Sequence, residues 1–191
     1  MLLSFNDDTT SCEFNQPKGL KMIYFIAGAH AVGKSTICNF YANQHDFIHK
    51  SASTLISEAK GEGFNLDKKT STAEENQQLL ISKLSEIRES DSNLLLDGHF
   101  VLVGNQGELI ALKQEVFRDM KLDGVVLIEC DDVKIEERFR DRGALLHYSP
   151  AALRDAERKN AIEICEALSI PLVILNEPSN KDFSEALKKS F

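Results

Sequence analysis

Gly28-Ala29-His30-Ala31-Val32-Gly33-Lys34-Ser35 follows directly on the apolar run Met22-Ile23-Tyr24-Phe25-Ile26-Ala27. The octapeptide has the phosphate-binding loop pattern GxxxxGK[ST], and it lies where that chemistry needs it, between a strand and a helix. The run before it suits a strand buried on both faces. Thr36-Ile37-Cys38-Asn39-Phe40-Tyr41-Ala42 after it suits a helix, with Ile37, Phe40 and Tyr41 expected to face inward. A loop bounded by glycines can wrap successive backbone N–H groups around a polyphosphate, and the helix N-terminus adds partial positive charge. Gly28, Ala29, His30, Ala31, Val32, Gly33, Lys34, Ser35 and Thr36 are therefore the expected nucleotide-binding residues. Lys34 is positioned to reach the β- and γ-phosphates, and Ser35 to offer its hydroxyl to Mg²⁺.

Working outward, apolar runs alternate with helical patterns, the signature of an α/β fold with a parallel sheet. Strands are predicted at 22–27, 46–50, 93–97, 124–130 and 171–175. Helices are predicted at 34–44, 53–61, 72–90, 108–120, 132–141, 150–168 and 180–190. The continuous runs Asn93-Leu94-Leu95-Leu96-Asp97 and Gly124-Val125-Val126-Leu127-Ile128-Glu129-Cys130 fit central parallel strands. Two stretches, about 51–92 and about 138–158, interrupt the alternation. Insertions at the carboxyl ends of parallel strands are where substrate sites form, so these two are the expected substrate flap and phosphate lid.

The chain has 191 residues, 42% of them apolar and 27% charged, which suits one domain with a substantial core. A net charge of −8 argues against a nucleic-acid-binding surface. Cys12, Cys38, Cys130 and Cys165 form no CxxC or Cys/His cluster, so reduced thiols in a cytoplasmic protein are expected. No apolar stretch approaches membrane-spanning length. Residues 1–21 are polar and rich in breakers, an extension ahead of a domain spanning 22–191.

Asp97 ends an apolar strand, the place for a second acidic group that orients Mg²⁺ through water, so Ser35 and Asp97 form the expected metal pair. His99 follows two residues on; it either bonds a phosphate or water, or anchors the next loop. Asp131 is a weaker metal-side acid that helix capping explains more cheaply. Arg138 and Arg142 share a helix face, as do Arg154 and Arg158 on the following helix. These pairs can converge on a triphosphate, where guanidinium groups stabilise charge on a transferred phosphoryl group. The alternative is salt bridging to Glu136, Glu137, Asp141, Asp155 and Glu157. Lys34, Arg138, Arg142 and Arg158 are the expected catalytic residues. Asn76 and Gln77 can read a base edge or a polyol, or form only the polar face of a helix whose apolar side is Leu79, Leu80, Leu84 and Ile87.

Together these residues resemble a P-loop nucleoside or nucleotide kinase, most of all the archaeal-type adenylate kinases and their bacterial ATP-binding relatives. The resemblance covers about 22–191 and rests on the 28–36 loop, on LLLDGH at 94–99, and on VVLIECDDVKIEERFRDR, ALRDAERKNA and PLVILN in the C-terminal half. It implies a three-layer fold with a five-stranded parallel sheet and helices on both faces, an ATP–Mg²⁺ site at Lys34, Ser35, Thr36 and Asp97, a nucleoside-monophosphate flap and an arginine lid. Arg138 and Arg142 would be lid arginines, and Arg158 the arginine on the helix after the lid. The chain departs from the family at His30 and Ala31, where such loops often have Pro and Gly. The flap has only Arg88 to grip an acceptor phosphate, with Lys68 and Lys69 as substitutes.

The expected activity is transfer of the γ-phosphoryl of ATP to a nucleoside monophosphate or similar small acceptor by a monomer or small homo-oligomer. Two alternatives stay open: a kinase of a non-nucleotide metabolite, and a nucleotide-hydrolysing module acting through a partner. Against a GTP switch, no NKxD-like base reader is present, since Asn176-Glu177-Pro178-Ser179 does not fit.

Overall fold

The computed structural model describes residues 21–61, 73–90, 92–143 and 146–189. Residues 1–20, with Cys12, and Lys68 and Lys69 in the flap lie outside the described residues. All five predicted strands are present: β1 (Ile23–Ala27), β2 (Phe47–Ser51), β3 (Asn93–Asp97), β6 (Gly124–Glu129) and β7 (Leu172–Asn176). They form one parallel sheet in the order β2-β3-β1-β6-β7. β1, with its five residues all buried, lies at the centre, and β3 and β6 flank it, each losing its apolar side chains to the core. Such runs can be apolar on both faces only because helices cover both sides of a parallel sheet.

Among the described residues, seven helices surround the sheet: α1 (Lys34–Ala42), α2 (Ala52–Gly61), α3 (Ala73–Glu89), α4 (Gln114–Met120), α5 (Asp132–Asp141), α6 (Pro150–Leu168) and α7 (Asn180–Lys189). α1 packs on β2 and β3 with α7 beside it; α6 packs on β6 and β7 with α4 and α5 beside it. This is the three-layer α/β architecture. Two of the helices start on side-chain caps. Asp131 caps α5 by accepting from Val133 N at 2.8 Å. Ser149 caps α6, followed at once by Pro150, whose fixed φ and missing N–H suit a first turn. Leu79, Leu80 and Leu84 are buried, so the apolar side expected of α3 faces the core.

Two details differ from expectation. The predicted helix 108–120 begins only at Gln114, because an antiparallel hairpin precedes it: β4 (Val101–Val103) pairs with β5 (Leu109–Ala111) around Gly104-Asn105-Gln106-Gly107. Three-residue strands are too short to show a period of two, and Leu109-Ile110 reads equally as a helix start. Phe40, expected inside, is 41% exposed; Cys38 takes the inward place between Ile37 and Tyr41.

At the far end of the sheet Arg88 donates to Lys21 O at 3.2 Å, to Lys121 O and to Asp123 Oδ2 at 3.2 Å. The one arginine of the stretch expected to form a flap is thereby committed to the amino ends of the strands, where Asp123 also accepts from Ile23 N at 2.7 Å. Beneath the other end, Phe25, Phe100 and Phe117 form an aromatic cluster, with Phe100 stacked on Phe117 at 4.4 Å.

Candidate functional site

The site begins where β1 ends. Gly28 has φ 140, and a Cβ there would lie 2.1 Å from Ile128 O, so only glycine lets the chain leave β1 against β6. Ala31 (φ 63) and Gly33 (φ 106) then turn the loop left-handed and deliver α1, whose N-cap Gly33 carries no side-chain cap. First-turn N–H groups of a helix have no intrahelical acceptors, so α1 presents its amino end to whatever the loop encloses.

Lys34 folds back over this loop. Its Nζ donates to Gly28 O at 2.8 Å and Ala29 O at 3.1 Å and stands 3.9 Å from Asp97 Oδ1. Burial pushes the ammonium below the ordinary lysine value, and Asp97 opposes that shift. Asp97 reaches the loop because β3 lies beside β1, with Ile26 opposite Asp97 in register. Ser35 Oγ donates to Asp97 Oδ2 at 2.7 Å. Burial raises the Asp97 carboxyl, but His49, Lys34 and Ser35 outweigh it and hold the group below its usual range. His49 Nε2 stands 3.6 Å from Asp97 Oδ2, while Nδ1 meets Asn39 Oδ1 at 2.8 Å.

Ser35 and Asp97 bring a hydroxyl and a carboxylate together at the loop. This is an oxygen donor set that suits Mg²⁺, which takes few protein ligands and completes its shell with phosphate and water. No cluster of three or more His, Cys, Asp or Glu side chains able to hold a metal occurs among the described residues.

The arginines separate into two groups. Arg138 Nη1 donates to Ala31 O at 2.6 Å, which sets a guanidinium on the loop itself. Arg142, the C-cap of α5, lines the same cavity as the loop. Arg158 is held elsewhere, in a two-pronged pair with the Glu129 carboxylate that includes Nε to Oε1 at 2.7 Å. Arg154 pairs with Asp132 at 2.8 Å and Asp155 at 3.2 Å. The expected convergence of four arginines is thus a convergence of two.

A cavity of about 830 Å³ opens from the loop. His30, Lys34, Ser35, Asp97 and His99 line its loop side, and Arg142, Phe139 and Tyr148 its lid side. Ser51, Ser53, Ile56, Asn76, Gln77 and Leu80 come from β2, α2 and α3. The hairpin and α4 add an apolar floor of Leu102, Val103, Leu112, Val116 and Met120. The His30 ring stands 4.2 Å from His99, and burial first, then His99 and Lys34, lower its pKa to about 4.

Glu157, which the sequence suggested only as an alternative salt-bridge partner for the arginines, escaped that reading as a buried anchor. It is 1% exposed, and it accepts from Phe100 N at 2.9 Å, Val101 N at 3.4 Å and His99 Nδ1 at 3.1 Å. The signal was present. Leu153, Glu157, Ala161 and Ile164 fall at helical spacing on one buried stripe of α6, so the one acid in an apolar row marks a buried anchor.

A strand–glycine-loop–helix with its lysine and serine, backed by an acid on the neighbouring strand, defines the P-loop kinase-like class. The family profile described as an AAA domain matches residues 27–145, and the chain belongs to that family. A solved sugar kinase from Janibacter sp. HTCC2649 is similar in fold, with TM-score 0.51 and 15% identity over 88% of this chain and 93% of that one. The YorR protein of Bacillus subtilis, solved with phosphorylated GDP, has TM-score 0.54 and 15% identity over 87% and 94%. No curated protein matches the chain. No helix among the described residues is long and apolar enough to cross a membrane.

Proposed function

We propose that this chain is an adenylate kinase-like phosphotransferase that moves the γ-phosphoryl of ATP to a nucleoside monophosphate or another small acceptor. The observation that carries the reading is the joint placement of Lys34, Ser35 and Asp97 at a left-handed loop that opens on the cavity. The loop amides and the α1 amino end would hold the triphosphate. Lys34, already drawn over the loop, would exchange its carbonyl partners for β- and γ-phosphate oxygens. Mg²⁺, on Ser35 with Asp97 behind it, would supply neutralisation of phosphate charge. Arg138 and Arg142 would balance the charge that develops on the transferred group, and Arg158 would join them only by leaving Glu129.

In this reading 22–191 is the kinase domain after an extension at 1–21. About 51–92 acts as flap and about 138–158 as lid, and their approach excludes water from the transfer. A cytoplasmic monomer or small homo-oligomer with no nucleic-acid partner completes the proposal.

The test follows ADP formation from Mg-ATP with and without nucleoside monophosphates and small alcohols. Strong stimulation by one acceptor supports transfer; a slow rate indifferent to every acceptor supports a hydrolysing module instead. Lys34→Ala should lower turnover by at least ~10³-fold while the far-ultraviolet spectrum stays unchanged. Near-normal turnover in that variant removes the loop's assigned role.

A further inference from the structure

We propose that the acceptor is amphipathic: its phosphoryl-accepting oxygen faces the phosphate loop, and a hydrocarbon body lies on Leu80, Leu102, Leu112, Val116 and Met120. The proposal rests on the phosphotransferase reading and narrows its acceptor to a molecule with one apolar half, charged or neutral at the other end.

It follows from how polarity is divided along the cavity. Among the described residues, the Lys, Arg, Asp and Glu side chains that line it are Lys34, Asp97 and Arg142, from the loop, the end of β3 and the end of α5. None comes from α3, α4 or the hairpin. The uncharged polar groups follow the same division: Ser51 stands opposite Asp97 in the β2–β3 register, Ser53 lies in the first turn of α2, and Tyr148 is on the lid side. Helices α3 and α4 pack together, and both run to the amino ends of the strands, where Arg88 donates to Lys121 O. On α3, Asn76 and Gln77 line the cavity one turn before Leu80; on α4, Val116 lines it one turn before Met120. The wall therefore passes from amides to hydrocarbon along α3, and α4 offers the cavity hydrocarbon alone.

The hairpin supplies a second observation. Leu102 lines the cavity and is 44% exposed, with Val103 and Leu112 on the same wall. The hairpin backbone is tied to α6 through Glu157 and Asn160, so this apolar wall is formed before any ligand arrives. Apolar side chains open to a cavity, with polar groups gathered at one side, are the usual lining of a site for a partly apolar ligand. A sugar or a nucleobase laid on α4 would lose water from its polar edges and gain no partner there. In the transfer the acceptor oxygen bonds the γ-phosphorus as the bond from that phosphorus to the β,γ-bridging oxygen breaks, its electron pair passing to ADP. A hydroxyl acceptor releases its proton to solvent; an oxyanion acceptor has none to release. The hydrocarbon takes no part in these steps and serves to hold the oxygen in place.

The experiment gives the full chain Mg-ATP with two homologous series: ethanol, 1-butanol and 1-hexanol, and the ethyl, butyl and hexyl monophosphates. Glycerol, ribose, AMP, CMP and UMP are the polar comparators. Phosphorus NMR follows transfer, and calorimetry reports the binding of Mg-ATP and, with Mg-ADP present, of each probe. In at least one series affinity is expected to rise about fourfold per added methylene, to a hexyl member bound more tightly than every comparator. Val116→Phe narrows the apolar end and lowers the hexyl-to-ethyl affinity ratio about tenfold, with Mg-ATP affinity unchanged. Val116→Thr, close to valine in shape, lowers the same ratio about threefold and serves if the Phe variant does not fold. Flat or falling series with both head groups, a comparator bound above every alkyl probe, or no alkyl probe bound by a chain that binds Mg-ATP overturns the inference and leaves the phosphotransferase reading standing. A ratio unaltered in the folded Val116 variants overturns it too. Absence of Mg-ATP binding in the wild-type chain overturns the parent reading, and this inference with it.

Discussion

Ala31 holds φ 63 in the middle of the phosphate loop, a conformation that an L side chain adopts at a cost of about 1–2 kcal/mol. Its carbonyl oxygen is the acceptor for Arg138 Nη1 at 2.6 Å, so the strained turn is pinned from α5. The sequence raised the question, since similar loops place glycine here, but could not answer it: a motif fixes residue types and leaves φ open. Glycine accepts positive φ without strain and loses somewhat more chain entropy on folding. Ala31→Gly should therefore raise unfolding stability by about 0.5–1 kcal/mol, read from the urea midpoint at constant m-value. A lower midpoint would mean that the Cβ makes contacts worth more than the strain. The placement of Lys34 over the loop was legible, because the pattern that sets it there spans neighbours one to six residues away. Arg158 was not. Its partner Glu129 lies 29 positions back on β6, and helical spacing says nothing about such pairings.

The three central strands were readable because parallel strands buried on both faces leave continuous apolar runs, as Leu94-Leu95-Leu96 in β3 shows. The β4–β5 hairpin was not, being short and held largely from outside itself. Asn160 Nδ2 on α6 donates to Phe100 O at 2.9 Å and Leu112 O at 3.0 Å, at the open base of the hairpin where its strands enter and leave. Glu157, one turn earlier, holds the N–H groups of Phe100 and Val101. α6 thus carries the polar brackets that shape the cavity floor, and their removal should be felt as stability. Glu157→Ala leaves two buried backbone donors and the His99 Nδ1 donor without acceptors. We expect a loss of about 2–4 kcal/mol, measured by chemical denaturation. Glu157→Gln keeps a carbonyl acceptor and should lose no more than about half as much. Equal losses in the two variants would show that negative charge, rather than acceptor geometry, holds the hairpin.

The sheet order β2-β3-β1-β6-β7 sends the chain to opposite sides of β1, and the phosphate loop sits at that divergence. A ligand there touches both halves: Asp97 follows from β3 on one side, and Arg138 reaches the loop from α5 beyond β6 on the other. Binding energy at the loop is therefore binding energy for the whole fold, since unfolding either half destroys the site. At a nucleotide concentration a hundred times Kd, linkage adds about 2.7 kcal/mol. For a domain of this size that corresponds to a rise in Tm of roughly 5–10 °C. Scanning calorimetry with Mg-ATP should record one transition moving by that amount, with no separate melting of flap or lid helices. In the proposed function Ser35 and Asp97 hold Mg²⁺, so chelating it should shrink the shift, and Lys34→Ala should abolish it. A shift that survives chelation undiminished would assign the triphosphate to the loop amides and Lys34 alone, and would release Ser35 and Asp97 from metal duty.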